Sequence, residues 1–452
     1  MVNIPQYLVT LLQTGLGSLA AYLAAHVLLC LLPAFFIAGA LSALFPKEAI
    51  TRFLGRNTPK WISYPASALG GFVLAVCSCT IMPLFASIYK KGAGLGPAIT
   101  FLFVGPAINI LAISLTGVAI GMDIALARVV LSIAFGIGIG LLMAWIFRKD
   151  DAAHDAATNN SAFGAAATVP AHVWLFFALL LGTLIAGTLQ VGVLTNSYLT
   201  FTVGEAWAPG FQAWLDRLVP PDPALGIEGV SIHGVFLIGL LALIGVTAWK
   251  GLSTVDEGYN RWTPVALGLV TFTIVVASFK IAVKSQGLSI GITGKLLAEI
   301  VLLAGIWGMA IKKFETYEIQ EWLWEMWRFV KQIIPLLLVG VFLAGMARAV
   351  IPAAWITTLA GRNTLWANLA GVFFGVFMYF PTLVEVPIAQ TFLSLGMQRG
   401  PLLAYLLADP ELSLQSILIT QSVIGKKKTW VYVGLVAVFS TLAGLIFGWV
   451  VR

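Results

Sequence analysis

The chain repeats itself, and repetition in a sequence this apolar leaves few folds open to it. The run "FIAGALSALFP…GRNT" from Phe36 returns as "FLAGMARAVIP…GRNT" from Phe342, at a constant offset of 306 residues. After a two-residue slip the offset is 304, which pairs Pro83 with Pro387, Gly92 with Gly396, Pro106 with Pro410 and Gly121 with Gly425. One structural unit is used twice. With 60% hydrophobic residues, 10% charged residues and a mean hydropathy of +0.96, the unit belongs in a membrane. Apolar segments interrupted by Gly and Pro at matching positions of two halves are the pattern of a secondary transporter with a site near the bilayer midplane.

Ten apolar runs are long enough to span: 18–45, 95–120, 124–147, 172–193, 231–249, 264–283, 294–311, 327–351, 400–423 and 429–450. Two further stretches, 62–89 and 366–397, are interrupted near the middle, and each arm is short of a full crossing. We read them as re-entrant helical hairpins. With an outside N-terminus and hairpins that return to their own side, 17 of the 26 Lys and Arg fall inside; with single crossings the split is 14 and 12. The positive-inside bias favours the hairpins. The expected fold is therefore an all-α polytopic membrane protein, an inverted repeat with two re-entrant hairpins and about 10 spans. Its parts are repeat 1 over 1–147, a flexible cytoplasmic linker over 148–171, a middle transmembrane segment over 172–312 and repeat 2 over 313–452. The middle segment has no counterpart in either repeat and reads as a scaffold or a surface for homo-oligomerisation. The net charge of +7 is dispersed in short loops, which makes it a topology signal and excludes a nucleic-acid patch. No Lys or Arg precedes Lys47, so the first apolar segment is not expected to be a cleaved signal peptide.

The two copies differ where chemistry would sit. Copy one reads "VCSCTIMP" and copy two "YFPTLVEVP". In broken or extended backbone the side chains at i and i+2 leave on the same side, so Cys77 and Cys79, flanking Ser78, can face one ligand. Thiolates prefer soft acceptors to Mg²⁺ or Ca²⁺. A buried free cysteine is ordinarily a small hydrophobe, the plainer reading for Cys30, which lies at the same expected depth and could also complete a three-sulfur site. Pro83, Pro106, Pro387 and Pro410 are expected at helix breaks, where freed carbonyls need partners or a cavity. Beside Pro106 stands Asn109; beside Pro410 stand Asp409, Glu411 and Ser413. Glu385, the counterpart of Ile81, lies in the second hairpin. Carboxylates at membrane depth are costly and therefore functional candidates, here for proton coupling, with a structural ion pair as the alternative. His26 reads as a hydrogen-bonded core imidazole, and the two Arg-Asn-Thr motifs as caps. No cofactor and no metal site is expected.

The stretch "CSCTIMPLFASIYKKGAGLGPAITFLFVGPAIN" resembles the predicted permeases related to ArsP, the trivalent organoarsenical efflux permeases. The second-copy stretch "YFPTLVEVPIAQTFLSLG…LLADPELSLQSIL…GKKKTWVYVG" resembles the C-terminal motif of a longer branch. The resemblance covers roughly 30–147 and 327–450, and implies a multi-pass exporter of the cytoplasmic, or inner, membrane with Cys77 and Cys79 on the family's thiol motif. The middle segment and a second copy without cysteine depart from that pattern. The expected function is a secondary-active permease exporting a small thiophilic or oxyanion-like solute, such as a trivalent arsenical, by alternating access; it is not expected to be an enzyme. Its partners are that solute and the lipid bilayer. A membrane thiol-redox protein using the Cys-Ser-Cys motif is the alternative from another class.

Overall fold

A computed structural model describes residues 4–451 apart from 26, 75–77, 109, 160–168, 190–191, 204–206, 222–228, 285–286, 351–352 and 378–381. Side chains of a few residues inside helices, Ser78 and Cys79 among them, also lie outside the description.

The first copy runs through α1 (Ile4–Ala25), a π-helical turn (Val27–Leu31), α2 (Leu32–Ala43), α3 (Lys47–Leu54), α4 (Lys60–Leu74), α5 (Ser78–Lys90), α6 (Leu95–Ala107), α7 (Ile110–Ala119) and α8 (Met122–Ile146). Then come α9 (Arg148–Asn159), α10 (Ala171–Thr188), α11 (Gly192–Thr195), β1 (Ser197–Val203), α12 (Trp207–Leu218), α13 (Ile232–Leu252) and α14 (Trp262–Ala277). A pair of strands, β2 (Lys280–Lys284) and β3 (Gly287–Thr293), leads into α15 (Gly294–Lys313). The second copy is α16 (Thr316–Val350), α17 (Ala353–Ala360), α18 (Leu365–Phe377), α19 (Thr382–Ser394), α20 (Arg399–Leu412), α21 (Leu414–Ile424) and α22 (Lys426–Val450). Among the described residues six helices are long and apolar enough to cross a membrane, and α1–α2 and α20–α21 are bent pairs that bring the number to eight. This is an α-helical polytopic membrane protein.

The repeat read from sequence recurs in helix boundaries. Lys47 and Leu54, the ends of α3, map at offset 306 onto Ala353 and Ala360, the ends of α17. At offset 304 the ends of α5 map onto those of α19, and those of α8 onto those of α22. Packing follows suit, since α4 and α8 flank α6 as α18 and α22 flank α20. Close approach at the α4–α6 crossing depends on Gly71, where a Cβ would stand 2.9 Å from the amide nitrogen of Gly105. The equivalent Gly375 would bring one within 3.0 Å of the amide nitrogen of Asp409. Both interrupted stretches also close on themselves. The Gly94 N–H donates to the Leu54 carbonyl at 2.8 Å, and the equivalent Gln398 N–H donates to the Ala360 carbonyl at 3.0 Å. The two ends of each interrupted stretch are therefore held together, with Gly92 and Gly396 at φ of 94° and 95° in the turns after α5 and α19.

Three expectations are corrected. The fold is not purely α, because β1, β3 and β2 form an antiparallel sheet in that order within the middle segment. The apolar run 264–283 is helical only to Ala277, after which its β-branched tail enters β2. Residues 148–159, expected to be a flexible linker, form the docked helix α9. The His154 ring stacks on Tyr89 with centroids 4.2 Å apart, and the buried Asp151 accepts the Leu95 N–H at 2.8 Å. Leu95 opens α6 behind Gly94, which carries no side chain to cap it, so Asp151 supplies from a distance the acceptor an N-cap residue would provide.

Asp151 lies beyond the end of α8, and burial holds its carboxyl above the usual value against the opposing pull of the Leu95 N–H, Arg56, His154 and Lys428. The folded protein thus binds this proton more tightly than the unfolded chain. The corresponding stability is complete below the unfolded pKa of about 3.9 and is lost as pH rises through the folded value. Asp151→Asn, which keeps an acceptor and drops the charge, should be at least as stable as wild type in thermal unfolding at neutral pH, with the difference vanishing below about pH 4. Asp151→Ala should fall about 1 kcal/mol below the Asn variant, because the first turn of α6 loses its acceptor.

Candidate functional site

The first interruption puts Ser78 and Cys79 in the opening turn of α5, while Cys77 lies outside the described residues. The next residue, Thr80, is buried, and its Oγ1 lies 2.7 Å from the Cys30 Sγ. Cys30 belongs to the π-helical turn between α1 and α2, the kind of local widening that recurs at functional sites. The cysteine expected at the depth of the motif is thus one residue removed from Cys79 across the α5 contact. Asn109 and His26 lie outside the described residues.

The prolines sit differently from expectation. Pro83 and Pro387 are the sixth residues of α5 and α19, inside those helices and after the interruptions. Pro106 and Pro410 also lie inside helices, and the chain breaks just beyond them, after Ala107 and at Ser413. A proline offers no N–H to the carbonyl four residues earlier, so Pro83 withdraws the helical donor from the Cys79 carbonyl and Pro410 from that of Leu406.

The carboxylates are buried, as the sequence led us to expect. Glu385 on α19 and Asp409 and Glu411 on α20 are 1%, 1% and 2% exposed. What the sequence reading missed is their partners. Arg128 on α8, with no exposed surface, donates from Nη2 to Glu385 Oε2 at 2.9 Å and from Nε to the Ala107 carbonyl at 3.2 Å. The Tyr432 hydroxyl on α22 donates to Glu411 Oε2 at 2.6 Å. These residues are related by the repeat: adding 304 takes Arg128 to Tyr432 and Ala107 to Glu411. The same helix crossing carries Arg128 on a backbone carbonyl in copy one and Tyr432 on a carboxylate in copy two. Of these two equivalent residues, Arg128 is the one whose side-chain bonds among the described residues also reach the other copy, at Glu385. The signal was legible, since Arg128 is the one Lys or Arg inside the apolar run 124–147. No cluster of three metal-ligating side chains occurs among the described residues.

A second polar cluster lies at the end of α5. Lys90, the last residue of α5, pairs with Glu325 on α16, which also accepts from Ser42 on α2 at 2.9 Å and Arg328 at 3.0 Å. It ties the end of α5 to α2 and α16.

A family model described as predicted permease, ArsP_1, matches residues 14–449. The chain belongs to that family of predicted permeases. The permease is 34% identical over 451 residues to the UPF0718 protein MJ0584 of Methanocaldococcus jannaschii, covering all of both chains. Over 122 residues, 26% of this chain and 34% of the relative, it is 30% identical to the UPF0718 protein YraQ of Escherichia coli. Over 116 residues, 25% and 39% respectively, it is 24% identical to the UPF0718 protein YcgR of Bacillus subtilis. No solved structure matches the permease.

The Arg128–Glu385 contact yields a direct energetic prediction. Removing one member of a buried pair leaves an uncompensated charge, so Arg128→Leu should destabilise the detergent-solubilised permease by about 3–5 kcal/mol. Arg128→Leu combined with Glu385→Leu should cost less than either change alone, as read by unfolding midpoints of the two single variants and the double variant.

Proposed function

We propose that this permease is a secondary-active exporter of a small thiophilic solute, such as a trivalent organoarsenical, built as an inverted repeat that opens alternately to the two sides of a cytoplasmic membrane. The inverted relation is supported by which helix ends meet. At the start of α8, Asp123 pairs with Arg399 at the start of α20, 2.8 Å apart. The end of α8 continues into α9, whose His154 lies on Tyr89, and Lys428 at the start of α22 is 3.4 Å from the Tyr89 hydroxyl. The equivalent helices α8 and α22 therefore run in opposite directions. Reciprocal packing agrees: α5 lies on α21, and their counterparts α19 and α7 lie on one another.

The observation that carries the transport reading is the set of buried ionisable groups at the junction of the copies. Charges at membrane depth mark solute and proton paths by default. The thiophilic reading rests on Cys77 and Cys79 with Cys30 beside Thr80. A trivalent arsenic bearing a hydroxyl would exchange it for a cysteine sulfur: an As–O bond breaks, an As–S bond forms, and the thiol proton leaves with the hydroxyl as water. The reverse exchange would release the solute on the far side. Glu385, Asp409 and Glu411 would carry the coupling protons, Asn109 and Ser78 would line the site, and the middle segment would serve as scaffold and self-association surface.

Uptake of methylarsonous acid into everted vesicles tests this reading. Replacing both Cys77 and Cys79 by Ser should lower uptake about tenfold or more, the effect of losing ~1.4 kcal/mol of soft-ligand affinity. Glu385→Gln should weaken dependence on the proton gradient more than Cys77→Ser does. Undiminished uptake by the double Ser variant would refute the thiophilic role, and loss of a thiol-reduction activity in its place would favour the redox alternative.

A further inference from the structure

The Arg128–Glu385 pair is poorly explained as a structural strut. A buried ion pair repays its desolvation only when its geometry is good and the remaining protons and lone pairs are also satisfied. Here the guanidinium makes a single bond to the carboxylate, from Nη2 to Oε2, and among the described residues its Nη1 has no hydrogen-bond partner. Glu385 Oε1 likewise has none. The parallel two-bond fork that Arg and a carboxylate readily adopt is left half open. Nor does the fold require charge at this crossing. In the other copy the equivalent positions are Tyr432 and Ile81, which carry no ion pair, although the helix ends of α5 and α19 and of α8 and α22 recur at one offset. Ile81 is buried, with its Cδ1 2.8 Å from where a Cβ on Gly105 would stand.

The location favours a ligand. Arg128 holds the carbonyl of Ala107, the last residue of α6 before its break. Two residues earlier on α6, Gly105 faces Ile81, which follows Cys79 and Thr80 on α5. The end of α6 thus lies between Ile81, in the first turn of α5, on one side and a half-used guanidinium on the other.

We propose that Arg128 is an oxyanion-binding residue and that Glu385 is its exchangeable counter-ion. In the empty site Glu385 neutralises the guanidinium. When a small oxyanion arrives, two of its oxygens take the Nη1 and Nη2 donors, and Glu385 leaves carrying a proton. Charge is conserved in the buried site: one anion enters, one proton is taken up on Glu385, and the guanidinium stays paired throughout. The anion therefore travels with one proton. The solute class is a small oxygen acid, either fully oxidised or carrying a soft atom that the cysteines can also engage. The proposal rests on the permease reading and is independent of the thiophilic one. Other ionisable groups on elements packed against α19 are Arg399, Tyr405, Asp409 and Glu411, all on α20; α7 contributes none. Of these, Glu411 is engaged by Tyr432 and Arg399 by Asp123.

Binding of radiolabelled methanesulfonate and methylarsonate to the purified full-length permease in detergent tests it, on the acid and alkaline sides of neutrality, with phenylarsine oxide as an uncharged thiol probe. Wild type should bind both oxyanions more tightly on the acid side, where a proton releases Glu385 from Arg128. Glu385→Gln should bind them about tenfold more tightly on the alkaline side and lose the pH dependence. Combining Arg128→Gln with Glu385→Gln should weaken oxyanion binding by more than about tenfold while phenylarsine oxide binding persists, which shows the fold intact. If that double variant does not fold, Glu385→Gln alone decides. Absence of oxyanion binding by wild type, unchanged binding by the double variant, or an unaltered pH dependence in Glu385→Gln would overturn the proposal.

Discussion

A guanidinium taken out of water inside a membrane bundle must be answered by an anion, and the Arg128–Glu385 contact is where the two halves of this molecule answer each other. Removing either ion from water costs several kcal/mol, which their attraction offsets only while they touch. The contact joins α8 of one copy to α19 of the other at 2.9 Å. Any motion that separates the copies at this point must supply a replacement partner or a proton. That turns a packing contact into a condition on movement, and on the proposed reading it is the place where solute, proton and conformation would be linked.

Around it the two copies are alike in backbone and unlike in chemistry. Helix ends recur at constant offset, the glycine crossings at Gly71 and Gly375 recur, and the closing hydrogen bonds of both interrupted stretches recur. The side chains at the breaks do not. Copy one carries the sulfurs and Arg128, and copy two carries Glu385, Asp409, Glu411 and Tyr432. Duplication supplies two equivalent scaffolds, and divergence places complementary groups on them so that the charges meet between copies.

The backbone was legible in the sequence because its determinants are local and periodic. Apolar runs of spanning length became helices or bent helix pairs, and the offsets 306 and 304 reappeared at helix termini. What resisted reading depended on contacts between distant segments. Nothing near Asp151 reveals that it caps α6, and the tail of the run 264–283 enters a strand because β1 and β3 offer it a partner. The carboxylates were found because a charge in an apolar run stands out. Arg128 stands out by the same rule, yet its meaning comes only from Glu385, 257 residues away. The prolines mark the neighbourhood of the breaks and not their exact positions, because within a helix a proline can free a carbonyl without ending the helix; the breaks fall after Pro106 and Pro410 and before Pro83.

The account stands on the two copies being inverted, since only then do equivalent helices face opposite sides and alternate in opening. Met122 and Lys426 begin the equivalent helices α8 and α22, and both are exposed. Single cysteines at these positions in an otherwise cysteine-free protein, labelled with a membrane-impermeant maleimide in intact cells and in everted vesicles, test the point directly. Labelling of position 122 from one side and position 426 from the other is the predicted result; labelling of both from the same side would contradict the inverted repeat and the mechanism built on it.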